Sequence, residues 1–190
     1  MFLYIKHRDY PYTVAMTTII GIQQKNGCLL ASDSRTAGVD GRPYSHPSVM
    51  KITERGHYLI AGAGDAQACD IIQMIWLPPR VPAGKDLYKF MVTKVGPSIR
   101  ECLKKNEYIK DPKDEESGYV FLIALRGVIY ELDDTNTVYL RDDGLYGIGS
   151  GAKYALGALQ AGAAWEKAMR IADKNDIYTC EPYHVFKQEM

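Results

Sequence analysis

Thr18-Ile19-Ile20-Gly21-Ile22-Gln23, then Lys25-Asn26-Gly27, then Cys28-Leu29-Leu30-Ala31-Ser32-Asp33-Ser34: this stretch decides the fold class. Two short β-runs flank an Asn-Gly turn signal, and the combination predicts a β-hairpin. Working outward, a second strand pair is expected over 50–53 and 57–61, hinged at Arg55-Gly56. Gly64-Asp65-Ala66-Gln67 opens an apolar helical stretch that runs through Leu77, where Pro78-Pro79 ends it. Over 86–105, Leu87, Phe90, Met91, Val95, Ile99 and Leu103 fall at helical spacing, with Pro97 expected to kink or shorten the helix. A charged loop over 110–117 precedes strands at 119–125, 128–132 and 137–140, with Arg126-Gly127 as a tight turn. The Ala-rich segment 151–172 reads as helix broken near Gly162, and a short β-like segment follows at 183–186. Strands, helices, strands, helix is not the alternation of a parallel βαβ sheet. It suits an α+β fold: a four-layer αββα sandwich of two antiparallel sheets flanked by helices.

Composition narrows the function classes. A chain of 190 residues fits one domain, and it contains no internal repeat or linker. Basic and acidic side chains balance at 23 each, so no overall field favours nucleic acid or an anionic membrane. No apolar run approaches the roughly 20 residues needed to cross a bilayer. Cys28, Cys69, Cys102 and Cys180 are scattered, which disfavours both a disulfide framework and a zinc site. A soluble, cytoplasmic protein is expected. Residues 1–16 do not resemble a secretory signal, because charges interrupt their short apolar stretch. Either Met16 is the true start, or 1–16 form an N-terminal extension or propeptide ahead of a single domain over 17–190.

The hydroxyl chemistry begins at Thr17. A threonine hydroxyl is a weak nucleophile at neutral pH and needs an adjacent base. The chain's own α-amino group, with an ordinary pKa of about 8, can be that base if the threonine becomes the first residue. Thr17, after Met16 and before a β-run, qualifies.

Five ordered motifs give the threonine a context. Thr17-Thr18-Ile19-Ile20-Gly21 and then Ala31-Ser32-Asp33-Ser34-Arg35, with Asp33 sixteen positions after Thr17, resemble the opening of proteasome β-subunits and HslV-type peptidases. Val49-Met50-Lys51-Ile52 resembles the strand carrying that family's active-site lysine. Ile60-Ala61-Gly62-Ala63-Gly64-Asp65-Ala66 resembles its small-residue turn into the first helix. Gly147-Ile148-Gly149-Ser150-Gly151 resembles its second glycine-rich strand–helix junction, and Asp176-Ile177-Tyr178-Thr179 its Asp-x-x-Ser/Thr segment.

The resemblance implies a threonine-type endopeptidase of the N-terminal-nucleophile class. Thr17 would be the nucleophile, with Lys51 a nearby positive charge and Asp33 its holder. Gly64, or its neighbour Gly62, would supply the oxyanion's N–H donor, and Ser150 with Asp176 would hold the amino terminus. Arg35, Thr36, Gly62 and Ala63 would line the substrate. Carbonyls near Asp173, Asp176 and Thr179 would bind a monovalent cation, Na+, and no other cofactor is implied. Partners would be protein or peptide substrates, identical subunits in a homo-oligomeric ring, and a separate ATP-dependent unfoldase, since this chain lacks a nucleotide-binding motif. Nucleic acid and membrane are not expected.

Plainer roles stand beside these. Lys51 reads equally as an edge-strand surface lysine, Asp33 as a turn cap, and Ser150 and Asp176 as helix caps. Two departures from the family pattern also matter. Met16 stands where proteasome precursors usually carry glycine, and the insertion over 38–48 is slightly longer than the HslV-type loop. Two rival functions remain: a non-catalytic ring subunit that keeps residues 1–16, and a small-molecule amide hydrolase of the same class.

Overall fold

The Asn-Gly hairpin forms as expected: β1 (Ile19–Gln24) and β2 (Gly27–Ser32) pair antiparallel with Ile19 opposite Ser32. The computed structural model describes residues 17–37, 42–45, 50–84, 86–109 and 118–190, so the extension 1–16 lies outside the described residues. Along the chain follow β3 (Arg35–Ala37), β4 (Pro43–Ser45), β5 (Ile52–Arg55), β6 (Tyr58–Gly64) and helix α1 (Ala66–Met74). Next come α2 (Leu87–Phe90), a π-helical turn (Met91–Val95), α3 (Gly96–Lys105), β7 (Tyr119–Leu125), β8 (Val128–Asp133) and β9 (Val138–Tyr139). The chain finishes with β10 (Leu145–Ile148), α4 (Ala152–Gln160), α5 (Trp165–Asn175) and β11 (His184–Glu189).

Two antiparallel sheets result, in the orders β10-β1-β2-β11 and β5-β6-β7-β8-β9, with β3-β4 as a separate small hairpin. The two-residue period of each strand sorts its side chains between layers. Ile19 and Leu30 of the first sheet meet Ile52, Leu59, Ala61, Leu122 and Ala124 of the second in a core between the sheets. Their neighbours Ile20, Leu29 and Ala31 face the other way, onto Ala155 and Leu159 of α4 and Met169 and Ala172 of α5. On the second sheet, Ile60, Phe121, Ile123 and Leu125 pack outward against Ile72 of α1, Val95, and Ile99 and Leu103 of α3. Helix, sheet, sheet, helix is the four-layer αββα sandwich.

Several local details depart from the sequence reading. The helix expected over 86–105 is divided into α2, the π turn and α3, and Pro97 stands at the last of these divisions. It sits in the first turn of α3, directly after the π turn, where a missing N–H breaks no α-helical bond. Helix α1 stops at Met74 rather than Leu77, because Ile75 and Trp76 both bond back to the Ile71 carbonyl in a closing turn. The hairpin β3-β4 was not anticipated; its strands are three residues each, too short to show a period. The break near Gly162 is present, with φ of 85° there between α4 and α5. Among the described residues, no helix is long and apolar enough to cross a membrane.

Candidate active site

Thr17 and Thr18 lead into β1, an interior strand of the first sheet, and both flanks bind them. Toward β2, the Thr18 carbonyl accepts from the Asp33 N–H at 3.0 Å. Toward β10, the Thr17 carbonyl accepts from the Gly151 N–H at 3.3 Å and from Ser150 Oγ at 3.4 Å. This close approach requires glycine at two positions. Gly149 has φ of 94°, and a Cβ there would lie 2.2 Å from the Thr17 carbonyl oxygen. A Cβ on Gly151 would lie 2.0 Å from Thr18 Oγ1.

Asp33, just past β2, is wholly buried. A buried carboxylate costs several kcal/mol unless donors surround it, and five do here. Its Oδ1 accepts from Thr17 Oγ1 at 2.7 Å, from the Thr18 N–H at 2.8 Å and from Lys51 Nζ at 2.7 Å. Its Oδ2 accepts from the Arg35 N–H at 2.9 Å and the Cys180 N–H at 3.4 Å.

Lys51, one residue before β5, completes the cluster. Its ammonium also donates to Thr17 Oγ1 and to the Arg35 carbonyl. The side chain is only 10% exposed, so it is not a surface lysine. Burial lowers its pKa below the ordinary lysine range, although the Asp33 carboxylate pulls in the opposite direction. The Thr17 hydroxyl thus donates to a carboxylate and accepts from an ammonium.

A second polar group closes the other side of Thr18. Asp176 Oδ2 accepts from Ser150 Oγ at 2.9 Å and Thr179 Oγ1 at 2.6 Å, and Thr179 Oγ1 lies 2.6 Å from Thr18 Oγ1. Ser150, Asp176 and Thr179 therefore meet around Thr17 and Thr18, just ahead of β1. Asp173 stands apart, with its Oδ2 accepting from the Tyr183 hydroxyl at 3.1 Å. Among the described residues, no three His, Cys, Asp or Glu side chains are grouped to hold a metal ion.

The remaining sequence candidates enter mainly through their backbones. The Arg35 guanidinium turns away, donating to the Ile177 carbonyl, while the main chain of Arg35 contacts both Asp33 and Lys51. Thr36 pairs with Tyr44 in the β3-β4 hairpin. Ala63 buries its side chain in the core between the sheets. Since Ile52 lies opposite Ala61, continuing the β5-β6 register by one residue sets Lys51 beside Gly62, and Gly64 lies two positions further on.

Sequence reasoning missed two contributors. Gln73 of α1, itself buried, donates from Nε2 to the Lys51 carbonyl at 2.8 Å. Thr18 brings its side chain into the second cluster. A polar residue directly after the apolar positions 68, 69, 71 and 72 was the available signal for Gln73.

No family model matches the sequence, and no curated protein matches it. Solved structures do. The chain is similar to Thiobacillus denitrificans BPH in complex with epoxomicin, with TM-score 0.71 and 22% identity, covering 91% of this chain and 98% of that one. It is also similar to the eukaryotic HslV of Trypanosoma brucei, with TM-score 0.63, 20% identity, and 92% and 100% covered. A third is Anbu from Pseudomonas aeruginosa, solved as a helical assembly, with TM-score 0.64, 14% identity, and 91% and 81% covered. The fold is proteasome-like. Within this proteasome-like sandwich, the Thr17, Asp33 and Lys51 cluster sits where the ends of β2 and β10 and the start of β5 converge on the head of β1.

Proposed function

We propose that this chain is a threonine endopeptidase of the N-terminal-nucleophile class, acting on proteins or peptides once Thr17 is its first residue. One observation carries the reading: a single buried oxygen, Asp33 Oδ1, binds both the Thr17 hydroxyl and the Lys51 ammonium. A structural threonine at the head of a strand needs neither partner.

In the proposed reaction the free Thr17 amine takes the hydroxyl proton as Oγ1 attacks the scissile carbonyl. The Lys51 charge favours the developing alkoxide, and Asp33 keeps that charge in place. The carbonyl oxygen becomes an oxyanion that needs an N–H donor from the end of β6. Gly64 and Gly62 both lie there, and the register beside Lys51 favours Gly62. Collapse of the intermediate breaks the C–N bond, and the protonated Thr17 amine passes its proton to the leaving amine. An ester on Thr17 remains, and water hydrolyses it with the same amine as base. Ser150, whose hydroxyl contacts both Asp176 and the Thr17 carbonyl, would orient the amino terminus with Asp176 holding it. A sodium ion at the 173–179 turn would rest on main-chain carbonyls, because both carboxylates there already accept hydrogen bonds; it takes no part in these steps.

Further support comes from the similarity to BPH, a protein solved with epoxomicin bound. The proposed enzyme works within a homo-oligomeric assembly and receives substrates from a separate ATP-driven unfoldase.

The test uses the chain beginning at Thr17, with turnover of a fluorogenic peptide and capture by an epoxyketone. The epoxyketone needs both hydroxyl and free amine to close its ring. Thr17→Ala should fold and assemble but lose at least about a thousandfold in kcat. Thr17→Ser should retain partial activity. An assembled chain with a free Thr17 amine that neither turns over peptide nor takes up the probe is instead a non-catalytic subunit.

A further inference from the structure

The second sheet ends, away from Lys51, in a pocket of about 380 Å³ built by the β5-β6 turn, the β7-β8 turn and the segment after α1. Arg55, Arg80 and Arg126 line it together with Pro78, Pro79 and Val81. Strand β6 runs from Tyr58 at this pocket to Gly64 at the catalytic end, a span of about 20 Å at the usual strand rise. The pocket is therefore a separate site, and it stands whether or not the threonine chemistry does.

Its electrostatics are unbalanced. Two of the guanidiniums are fixed by main-chain carbonyls: Arg55 Nη2 donates to Trp76 O at 2.8 Å, and Arg126 Nη2 to Pro82 O at 2.8 Å. Arg80 makes no hydrogen bond to a described residue. The ion pairs among the described residues are Lys51–Asp33, Lys105–Glu101 and Arg141–Asp143, and none involves these three arginines. Gathering like charges around one cavity costs free energy that a bound anion recovers.

We infer that this pocket binds a small phosphorylated molecule, a phosphate monoester rather than a carboxylic acid. Planar guanidiniums match phosphate oxygens in pairs, and several together suit the near-double charge of a phosphate better than the single charge of a carboxylate. The volume falls within the roughly 300–1,000 Å³ typical of small-ligand sites. A bare phosphate would leave most of it empty, whereas the organic part of an ester fits against Pro78, Pro79 and Val81.

Calorimetric titration of the full chain at low ionic strength, with phenyl phosphate and with benzoate, tests this. Saturable binding of one phenyl phosphate per chain is expected, tighter than benzoate. Arg80→Ala and Arg126→Ala should each weaken it by about tenfold or more. Arg80→Ala removes no hydrogen bond to a described residue, so it keeps the fold and isolates the loss of charge. The inference is overturned if millimolar phenyl phosphate gives no saturable binding, if benzoate binds as tightly, or if Arg80→Ala binds like the unaltered chain.

Discussion

Asp33 ties the proposed nucleophile Thr17, Lys51 and the backbone N–H groups of Arg35 and Cys180 to one carboxylate. Asp33→Asn should therefore be severe, because an amide replaces one acceptor oxygen with a donor pointed at other donors. A kcat loss of at least about a hundredfold with little change in KM is expected, read by steady-state kinetics. Lys51 sets the pH behaviour. Activity should rise as the Thr17 amine loses its proton and fall as Lys51 loses its own. With the Lys51 pKa lowered by burial, that alkaline fall should come below the ordinary lysine value of about 10.4. A pH–rate profile whose high-pH limb is absent would remove Lys51 as the working cation. Stability moves the other way: between the lowered folded value and the ordinary one, the unfolded chain binds one more proton, so the Lys51 contribution rises with pH. Thr17, Asp33 and Lys51 were legible because their spacing in sequence matches a known pattern. Gln73 was not, since its partner is a main-chain carbonyl 22 positions away, and a carbonyl leaves no trace in residue identity.

At the scale of elements, helix α1 belongs to the site although it packs on the far side of the second sheet. Gln73 crosses to the Lys51 carbonyl just before β5 begins. Gln73→Met keeps the length and removes the donor. It should lower kcat by about tenfold with KM nearly unchanged, cost about 1 kcal/mol of stability for the carbonyl left without this donor, and recover nothing from Gln73→Glu, whose carboxylate cannot donate. The β10-α4 junction is less forgiving. Gly151→Ala puts a methyl 2.0 Å from Thr18 Oγ1, 2.6 Å from Thr179 Oγ1 and 2.9 Å from Asp176 Oδ2. Destabilisation of about 1–3 kcal/mol and a melting point lower by about 5–10 °C are expected in a thermal scan. Elements were legible where a period had room to repeat, as in β1, β2, β7 and α3. They were not where long-range pairing makes the element: β3 and β4 exist through each other, and the Pro97 helix survives through a π turn that residue patterns do not announce.

For the whole molecule, alternation in each strand fixes the layers, which is why the sandwich could be read before any contact was known. What lies beyond one chain is written only on its surface. Tyr88 and Val92, one turn apart, Tyr139 of the edge strand β9 and Leu140 just after it are all at least 39% exposed, and the Tyr88 hydroxyl bonds to the Val138 carbonyl. Such a patch next to an open strand edge suits burial by another copy. Light scattering should find an assembly larger than a monomer, and Leu140→Asp should shift it toward smaller species without changing the melting of the subunit. A monomer at working concentration would refute the assembly. The double fastening of Thr17 and Thr18 carries a practical lesson about what may precede them. Their carbonyls, the Thr18 amide and both hydroxyls are held by groups downstream of them in the chain, from Asp33, Lys51, Ser150, Gly151 and Thr179. A chain that begins at Thr17 keeps every one of these bonds, so a removable tag whose cleavage leaves threonine first would deliver the proposed nucleophile already in place.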